Sequence, residues 1–183
     1  MNPWQINRAV LCLQAGGVIA YPTESVYGLG CDANNLCAIT QLLEIKNRSY
    51  KKGLIVLVSD IEQALFLLAP LTSSQVQTIK QPRARATTWL IDVASHLSPL
   101  LIGNHHKLAV RVTSNPTAKA ICERFNKPII STSGNLSGKP TSVSTAIVRN
   151  KMIKKVDYVM AGPCCGQHPS QLIDLNSGLV IRH

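Results

Sequence analysis

Five stretches of this sequence combine hydroxyl, amide and cationic side chains in a way that could bind an anionic ligand. Each lies within or directly after a short apolar segment that is typical of a buried strand or of one stripe of a helix. Hydroxyls and amides supply uncharged donors, and lysine and arginine neutralise phosphate charge. Such groups act by positioning and charge neutralisation, which suits transfer at a nucleotide phosphate. The stretches are residues 23–27, residues 46–48, Arg111, residues 131–138 and Arg182.

Residues 131–138 form the longest of these stretches. Two isoleucines at 129–130 precede a run of hydroxyls, glycines and an asparagine. This change predicts a buried strand that opens into a loop at its carboxyl end, where open α/β sheets bind ligands. An ordinary capped turn is the alternative interpretation.

Arg111 stands inside the apolar segment 108–112. A charge in such a strand is rarely buried without a partner. Either the strand lies at the edge of the sheet with Arg111 facing water, or the guanidinium is a fixed fork aimed at a carboxylate or phosphate.

Familiar catalytic and nucleotide motifs are absent from the sequence. Residues 134–140 are one residue too short for a P-loop and have Pro140 where a hydroxyl should follow the lysine. Residues 28–33 lack the third glycine of a dinucleotide fingerprint. No carboxylate pair or Ser-His-Asp pattern stands out, and the six cysteines include no C-x-x-C spacing, so neither a zinc site nor a disulfide framework is expected.

The 19 Lys and Arg against 9 Asp and Glu give the chain a formal charge of +10, which favours anionic partners or reflects a generic basic surface. Aromatic residues are only 4% of the 183, so a nucleic-acid surface of stacked aromatics is poorly supported. No signal peptide or long apolar span is visible, so we expect a cytoplasmic protein without a membrane partner.

Strands alternate with helices early in the chain, and the last strands are adjacent. This pattern predicts one α/β domain over residues 1–183 with a mixed sheet. Helices are predicted at 2–15, 35–48, 60–69, 71–80, 116–125 and 144–155, and strands at 18–21, 54–58, 87–93, 108–112, 156–161, 171–175 and 179–182. Residues 22–32 are predicted to be a loop, and residues 97–106 a loop or broken helix.

Residues 18–33, 46–48, 108–112 and 131–138 closely resemble the motifs of the YrdC-like family in order and spacing, and the resemblance runs from about residue 16 to residue 182. It implies an open, twisted, mixed β-sheet with flanking helices around a large basic cavity. It also implies a nucleotidyltransferase that forms threonylcarbamoyl-AMP and pyrophosphate from L-threonine, bicarbonate and ATP. The product would serve threonylcarbamoylation of the tRNA adenosine next to the anticodon, through a separate transferase complex.

The resemblance also implies roles for individual residues. Lys46 and Arg48 would bind the ATP phosphates and act in catalysis, with Mg²⁺ held by phosphates and water rather than by protein ligands. The implied threonine contacts are Thr23, Arg111, Ser131 and Ser170, with Arg111 on the carboxylate. The further implied nucleotide contacts are Thr88, Ser133, Asn135, Thr141 and Arg182.

Several positions depart from the family pattern. Glu24 and Ser25 replace an Asp-Thr pair, and Gly134 replaces an alanine. The Pro-Gly-Pro turn expected before Thr87 and Thr88 is absent, because residues 84–86 read Ala-Arg-Ala, and Gln171 removes a hydroxyl after Ser170. These changes leave the cationic residues in place.

Two other classes of function stay open at this point. One is a non-catalytic protein that binds double-stranded RNA or tRNA by shape and phosphate charge, a role that can coexist with catalysis. The other is an intermediate domain detached from a larger carbamoyltransferase, against which the lack of zinc-type and acylphosphatase-like segments argues.

Overall fold

The computed structural model describes residues 2–24, 26–95, 97–134, 155–164 and 169–182. Within them, the strands are β1 Ile19–Pro22, β2 Tyr27–Gly30, β3 Ile55–Val58, β4 Thr87–Asp92, β5 Lys107–Val112, β6 Ile129–Ser133, β7 Tyr158–Val159, β8 Gln171–Asp174 and β9 Val180–Arg182. They form one open, twisted, mixed sheet in the order β7-β1-β2-β6-β3-β5-β4-β8-β9. Three neighbouring pairs are parallel (β1 with β7, β3 with β5, β4 with β8) and the others antiparallel.

The α-helices begin at residues whose side chains can cap them. Asn35 accepts a hydrogen bond from the Ala38 backbone at the start of α2, and Asn115 does the same for two amides at the start of α5. The α-helices are α1 Pro3–Gln14, α2 Leu36–Lys46, α3 Ser73–Lys80, α4 Pro99–Ile102 and α5 Pro116–Phe125, and short 3₁₀ helices span Tyr50–Lys52 and Ile61–Leu67.

Helices cover both faces of the sheet. One face packs against α2, α3 and α4 in a core that includes Leu42, Val56 and Trp89. The opposite face packs against α1 and α5 through Leu57 and Ile129. None of the helices in these described stretches is long and apolar enough to cross a membrane.

The strand registers place the polar candidates on the face that carries α1 and α5. Gly28 is paired with both Tyr21 and Ser133, and Leu57 with both Ile129 and Arg111. Because side chains alternate along a strand, residues two apart share a face. The face that packs against α1 and α5 therefore also carries six polar side chains, those of Tyr21, Thr88, Arg111, Ser131, Ser133 and Arg182.

The predicted fold class is confirmed, while several local predictions are wrong. Residues 22–32 contain β2, which pairs with β1 as a hairpin. The segment after Ile129 stays extended to Ser133, because β2 and β3 pair with it from both sides. Residues 60–69 contain a 3₁₀ helix instead of an α-helix, and the predicted strand 156–161 is reduced to Tyr158–Val159.

Arg111 does not lie on an edge strand, because β5 is flanked by β3 and β4. This position removes the interpretation in which the arginine faces water from the border of the sheet. The predicted helix 144–155 lies almost entirely outside the described residues.

A glycine contact fixes the turn that follows α2. Gly103 has φ +64°, and a Cβ there would lie 2.5 Å from both the Gly53 nitrogen and the Lys51 oxygen. Leu54 and Asn104 complete the contact through backbone hydrogen bonds to Leu101 and Lys51. The close approach thus holds residues 51–54 against the end of α4.

We expect Gly103→Ala to lower the free energy of unfolding by about 3 kcal/mol, because it adds a backbone clash to an unfavourable φ. Gly178→Ala is the matched control, since its φ is +72° but a Cβ there would meet nothing within 4 Å. That control should lose only about 1 kcal/mol. Urea denaturation of both variants measures the difference, and equal losses would contradict the role of the close contact.

Candidate active site

Arg111 lies at the centre of a cluster formed by three strands. Its Nε donates to Thr88 Oγ1 at 3.0 Å and its Nη2 donates to Ser170 Oγ at 2.7 Å. The two hydroxyls are 2.8 Å apart and share a hydrogen bond, and both residues are buried. Thr88 on β4 and Ser170 just before β8 therefore set the plane of the guanidinium.

Arg182 joins the same cluster from β9. Its Nη2 and Nε donate to the Ser170 carbonyl oxygen at 2.9 and 3.3 Å. Burial lowers the pKa of Arg111, the charge of Glu24 acts to raise it, and the charge of Arg182 acts to lower it further. Two cations thus lie close together, which favours an anion as the group that they bind.

Tyr21 connects this cluster to β6. Its side chain is fully buried, and its hydroxyl donates to Ser131 Oγ at 2.8 Å. Burial raises the pKa of Tyr21 above its ordinary value, so the phenol stays protonated and acts as a donor. A Cβ at Gly28 would lie 3.0 Å from the Thr23 methyl group and 3.4 Å from the Tyr21 ring, so a glycine there lets these side chains approach the strand.

Lys46, the last residue of α2, is only 2% exposed. Its Nζ donates to the backbone oxygen of Ser133 at the end of β6, whose own side chain is exposed. Burial, followed by the charge of Arg48, lowers the pKa of Lys46 to about 8. Asn47 then ends the helix in the left-handed conformation with φ 48°.

Arg48 follows directly and is held by the turn that packs on α4. Its Nη2 donates to the Gly53 carbonyl oxygen at 3.0 Å, while its Nε is buried and makes no hydrogen bond within the part of the chain that the structure describes. Burial also lowers the pKa of Arg48. A half-buried guanidinium with an unused donor is suited to an additional anionic acceptor.

Glu24 is a buried acid whose charge acts on Arg111, with 9% of its surface exposed. Its Oε1 accepts from the Thr113 hydroxyl at 2.6 Å and from the Asn115 amide at 3.2 Å. Next to it, the Thr23 hydroxyl donates to the Val26 carbonyl oxygen at 2.6 Å. Glu24 therefore ties the β1–β2 connection to the segment that joins β5 to α5.

The structure brings six of the sequence-predicted site residues together in two groups. Thr88, Arg111, Ser170 and Arg182 form one cluster, whereas Lys46 and Ser133 meet on the other side of β3. Thr88 was expected among the nucleotide contacts and Ser170 among the threonine contacts, yet they bond to each other. Asn135 and Thr141 lie outside the described residues.

The sequence motifs did not indicate Tyr21 and Thr113 as part of this region. Tyr21 is the last apolar residue before the first hydroxyl-rich stretch, and this pattern predicts a buried strand without indicating that the phenol is a donor. Thr113 follows β5 and is two residues from Arg111. In an extended chain this spacing places both side chains on the same face, so the sequence could have indicated Thr113 as a neighbour of the site.

An open mixed sheet that bears paired arginines, hydroxyls and a buried lysine on strand and helix ends defines an α/β protein built to bind anions. A sequence model of the Sua5/YciO/YrdC family, described as telomere recombination, matches residues 12–183. The chain belongs to this family, which confirms the prediction made from the motifs.

Individual relatives match over most of the chain. It is 40% identical over 178 residues to a curated protein named threonylcarbamoyl-AMP synthase from Coxiella burnetii (strain RSA 493 / Nine Mile phase I), covering 97% of this chain and 96% of the relative. P. abyssi Sua5 complexed with L-threonine has a TM-score of 0.86 and 26% identity over 95% of this chain, which spans 52%, about half, of that protein. E. coli YciO has a TM-score of 0.83 and 28% identity, with 100% and 91% of the two chains covered.

The buried Lys46 predicts a specific dependence of stability on pH. Its pKa falls from 10.5 to about 8 in the folded chain, so the unfolded chain binds more protons between these values and wild-type stability should rise with pH there. Lys46→Met lacks this contribution. The wild-type free energy of unfolding, minus that of the variant, should therefore be constant below pH 8 and increase from pH 8 to 10.

Urea denaturation at each pH measures this difference, and groups common to both proteins cancel. Lys52→Met, which removes an exposed lysine from the 3₁₀ turn after α2, is the control for the loss of a lysine. A Lys46→Met difference that stays flat up to pH 10, or decreases, would show that burial does not lower this pKa.

Proposed function

We propose that this protein is an L-threonylcarbamoyladenylate synthase, which forms threonylcarbamoyl-AMP and pyrophosphate from L-threonine, bicarbonate and ATP. The observation that carries the proposal is the placement of Arg111 and Arg182 around two buried hydroxyls. On the other side of β3, the buried Lys46 and the half-buried Arg48 supply two further cations. The name of the Coxiella burnetii relative and the L-threonine complex of P. abyssi Sua5 support it.

In this proposal, Lys46 and Arg48 bind the phosphates of ATP. Lys46 approaches from the end of α2 and bonds the carbonyl group that ends β6, so its charge is held at a fixed position. Bound phosphate favours the charged form of the lysine, which offsets the effect of burial. The further nucleotide contacts are Thr88, Ser133, Asn135, Thr141 and Arg182.

Arg111 binds the carboxylate of threonine. Its guanidinium is oriented by Thr88 and Ser170, so the fork is set before the ligand arrives and little side-chain entropy is lost on binding. Ser170 contacts the same substrate, and Thr23 and Ser131 contact it from the β1–β2 side. Together with the cations, these side chains line the large basic cavity that we propose for this face of the sheet.

The chemistry requires the amine and the nucleotide to meet. Bicarbonate carboxylates the threonine amine with loss of water, and a carbamate oxygen then attacks the α-phosphorus of ATP. The bond from that phosphorus to the bridging oxygen breaks, and pyrophosphate leaves. Lys46 and Arg48 stabilise the charge that develops on the departing pyrophosphate, and Arg111 holds the nucleophile in line.

We treat magnesium as part of the nucleotide substrate. No group of three or more potential metal-ligating side chains occurs within the residues described, and the carboxylate of Glu24 already accepts from Thr113 and Asn115. These side chains do not fit a protein-built magnesium site. The ion would enter as MgATP, held by phosphates and water.

The labile product would pass to a separate transferase complex that acts on tRNA, and we propose that the protein works in the cytoplasm, where tRNA and ATP are available. A net charge of +10 supports contact with tRNA or double-stranded RNA. Neither a purely RNA-binding protein nor a detached carbamoyltransferase domain is favoured, because the Coxiella burnetii relative, matched over 96% of its length, carries the synthase name.

A direct assay combines the protein with MgATP, bicarbonate and L-threonine and measures pyrophosphate together with the mass of threonylcarbamoyl-AMP. We expect both products, and we expect Lys46→Ala to lower kcat by about 100-fold, because it removes a cation from the developing charge. Lys119→Ala is the control, since this lysine is exposed on α5 and pairs with Glu123.

Pyrophosphate release that is equal with and without threonine would overturn the proposed function. So would a wild-type protein that forms no adenylate although it binds ATP. Loss of activity in Lys119→Ala as large as that in Lys46→Ala would show that general surface charge, and not the buried lysine, supports the reaction.

The substitution Arg111→Lys tests which of the two substrates, L-threonine or ATP, Arg111 binds. A lysine keeps the charge but loses the fork that Thr88 and Ser170 orient, so the KM for L-threonine should rise about tenfold or more while the KM for ATP changes about twofold or less. Steady-state kinetics with each substrate varied in turn measures this. A larger effect on the KM for ATP would assign Arg111 to the nucleotide instead.

A further inference from the structure

Three arginines converge on two consecutive residues at the start of β8. Arg182 donates to the carbonyl oxygen of Ser170, and Arg111 donates to its hydroxyl. Arg85 donates through Nη2 to the carbonyl oxygen of Pro169 at 3.1 Å. Of the three, only Arg85 is one of the departures from the family motif.

A second set of bonds joins the same two segments. The Gln171 amide donates to the Ala86 carbonyl oxygen at 3.0 Å, and its side-chain Nε2 donates to Thr87 Oγ1 at 2.7 Å. The Thr87 hydroxyl in turn donates to the Arg85 carbonyl oxygen at 3.0 Å. The two departures from the family pattern, Arg85 and Gln171, are therefore linked in one network.

Arg85 lies against the protein rather than in solvent. It is half-buried, and its Nε is buried with no hydrogen bond inside the described ranges. Arg83, two residues earlier, is exposed and stacks its guanidinium 4.8 Å from the Trp89 ring centroid. The two arginines have the same charge but different surroundings, so their effects can be separated.

We propose that Arg85 is a positioning residue that holds residues 169–170 in place, so that the Ser170 hydroxyl stays fixed on the Arg111 guanidinium. In this chain a hydrogen-bonded arginine replaces the rigidity that the missing Pro-Gly-Pro turn would have provided. Arg85 touches neither substrate and acts through Pro169 and Ser170. The link to threonine rests on the proposed function, whereas the link to the position of Ser170 does not.

The bond matters because Ser170 precedes the first residue of β8. The strand pairing holds Gln171 opposite Thr87 and Leu172 opposite Thr88, but it does not extend to Pro169. Without the Arg85 bond, the backbone at Pro169 loses a hydrogen bond to residues 83–87. The Ser170 hydroxyl then spends less time within reach of Arg111.

Kinetics of Arg85→Ala, Arg85→Lys and Arg83→Ala test the proposal. We expect Arg85→Ala to raise the KM for L-threonine about fivefold to twentyfold, more than it raises the KM for ATP. Arg85→Lys should restore at least half of the loss on a logarithmic scale, because it keeps a donor of similar reach. Arg83→Ala should match the wild type within about twofold.

Two kinetic outcomes would overturn it. If Arg85→Ala raises the KM for ATP while the KM for threonine is unchanged, Arg85 is a direct phosphate contact. If Arg83→Ala has the same effect as Arg85→Ala, the cause is the loss of surface charge.

Hydrogen exchange of the Gln171 amide tests the positioning without any turnover. Arg85→Ala should speed this exchange about tenfold, and Arg83→Ala should leave it unchanged. An unchanged Gln171 amide in Arg85→Ala would refute the positioning role, even if the enzyme is active. Conversely, if the wild type forms no adenylate but the exchange responds as expected, the proposed function fails and the structural role of Arg85 stands.

Discussion

The arrangement of the site depends on one interaction, in which two buried hydroxyls hold the partly buried guanidinium of Arg111 on an interior strand of the sheet. A cation in such a strand is costly unless its donors are used. Thr88 and Ser170 use two of them without adding a negative charge, so the positive charge stays available to a ligand. Thr88 is on β4 and Ser170 directly precedes β8. Both hydroxyls reach Arg111 on β5 because β4 lies between β5 and β8 in the sheet.

The same principle governs the other half of the site. Lys46 is buried and Arg48 is half-buried, and the hydrogen bonds described for them go to backbone carbonyl groups. Their pKa values fall because burial penalises the charged form. The carboxylate of Glu24, whose charge acts on Arg111, is bound by Thr113 and by the amide of Asn115. Packing and backbone carbonyl groups thus hold these cations in place, and a bound polyanion would relieve their repulsion.

The cationic positions and the α/β class could be predicted from the sequence. Both depend on features of short segments, namely charged residues beside apolar runs and the alternation of strands with helices. The β2 strand could not, since its two glycines weaken a strand pattern and its extended form depends on pairing with β1 and β6. The hydroxyl partners of Arg111 were named only through the family resemblance. Thr88 and Ser170 are 82 residues apart, and no local rule relates a hydroxyl to a guanidinium at that separation.

That separation has a consequence for how the protein matures. The cluster draws on β4, β5, β8 and β9, so Arg111 gains its last oriented partners only when the carboxyl-terminal strands dock. A partly folded chain can already contain the paired strands β1, β2, β6, β3 and β5 while the Arg111 guanidinium is not yet oriented to bind a ligand. Contacts between distant segments form late because loop closure must precede them. During synthesis, ligand affinity would therefore arise after most of the sheet, when the final hairpin has left the ribosome.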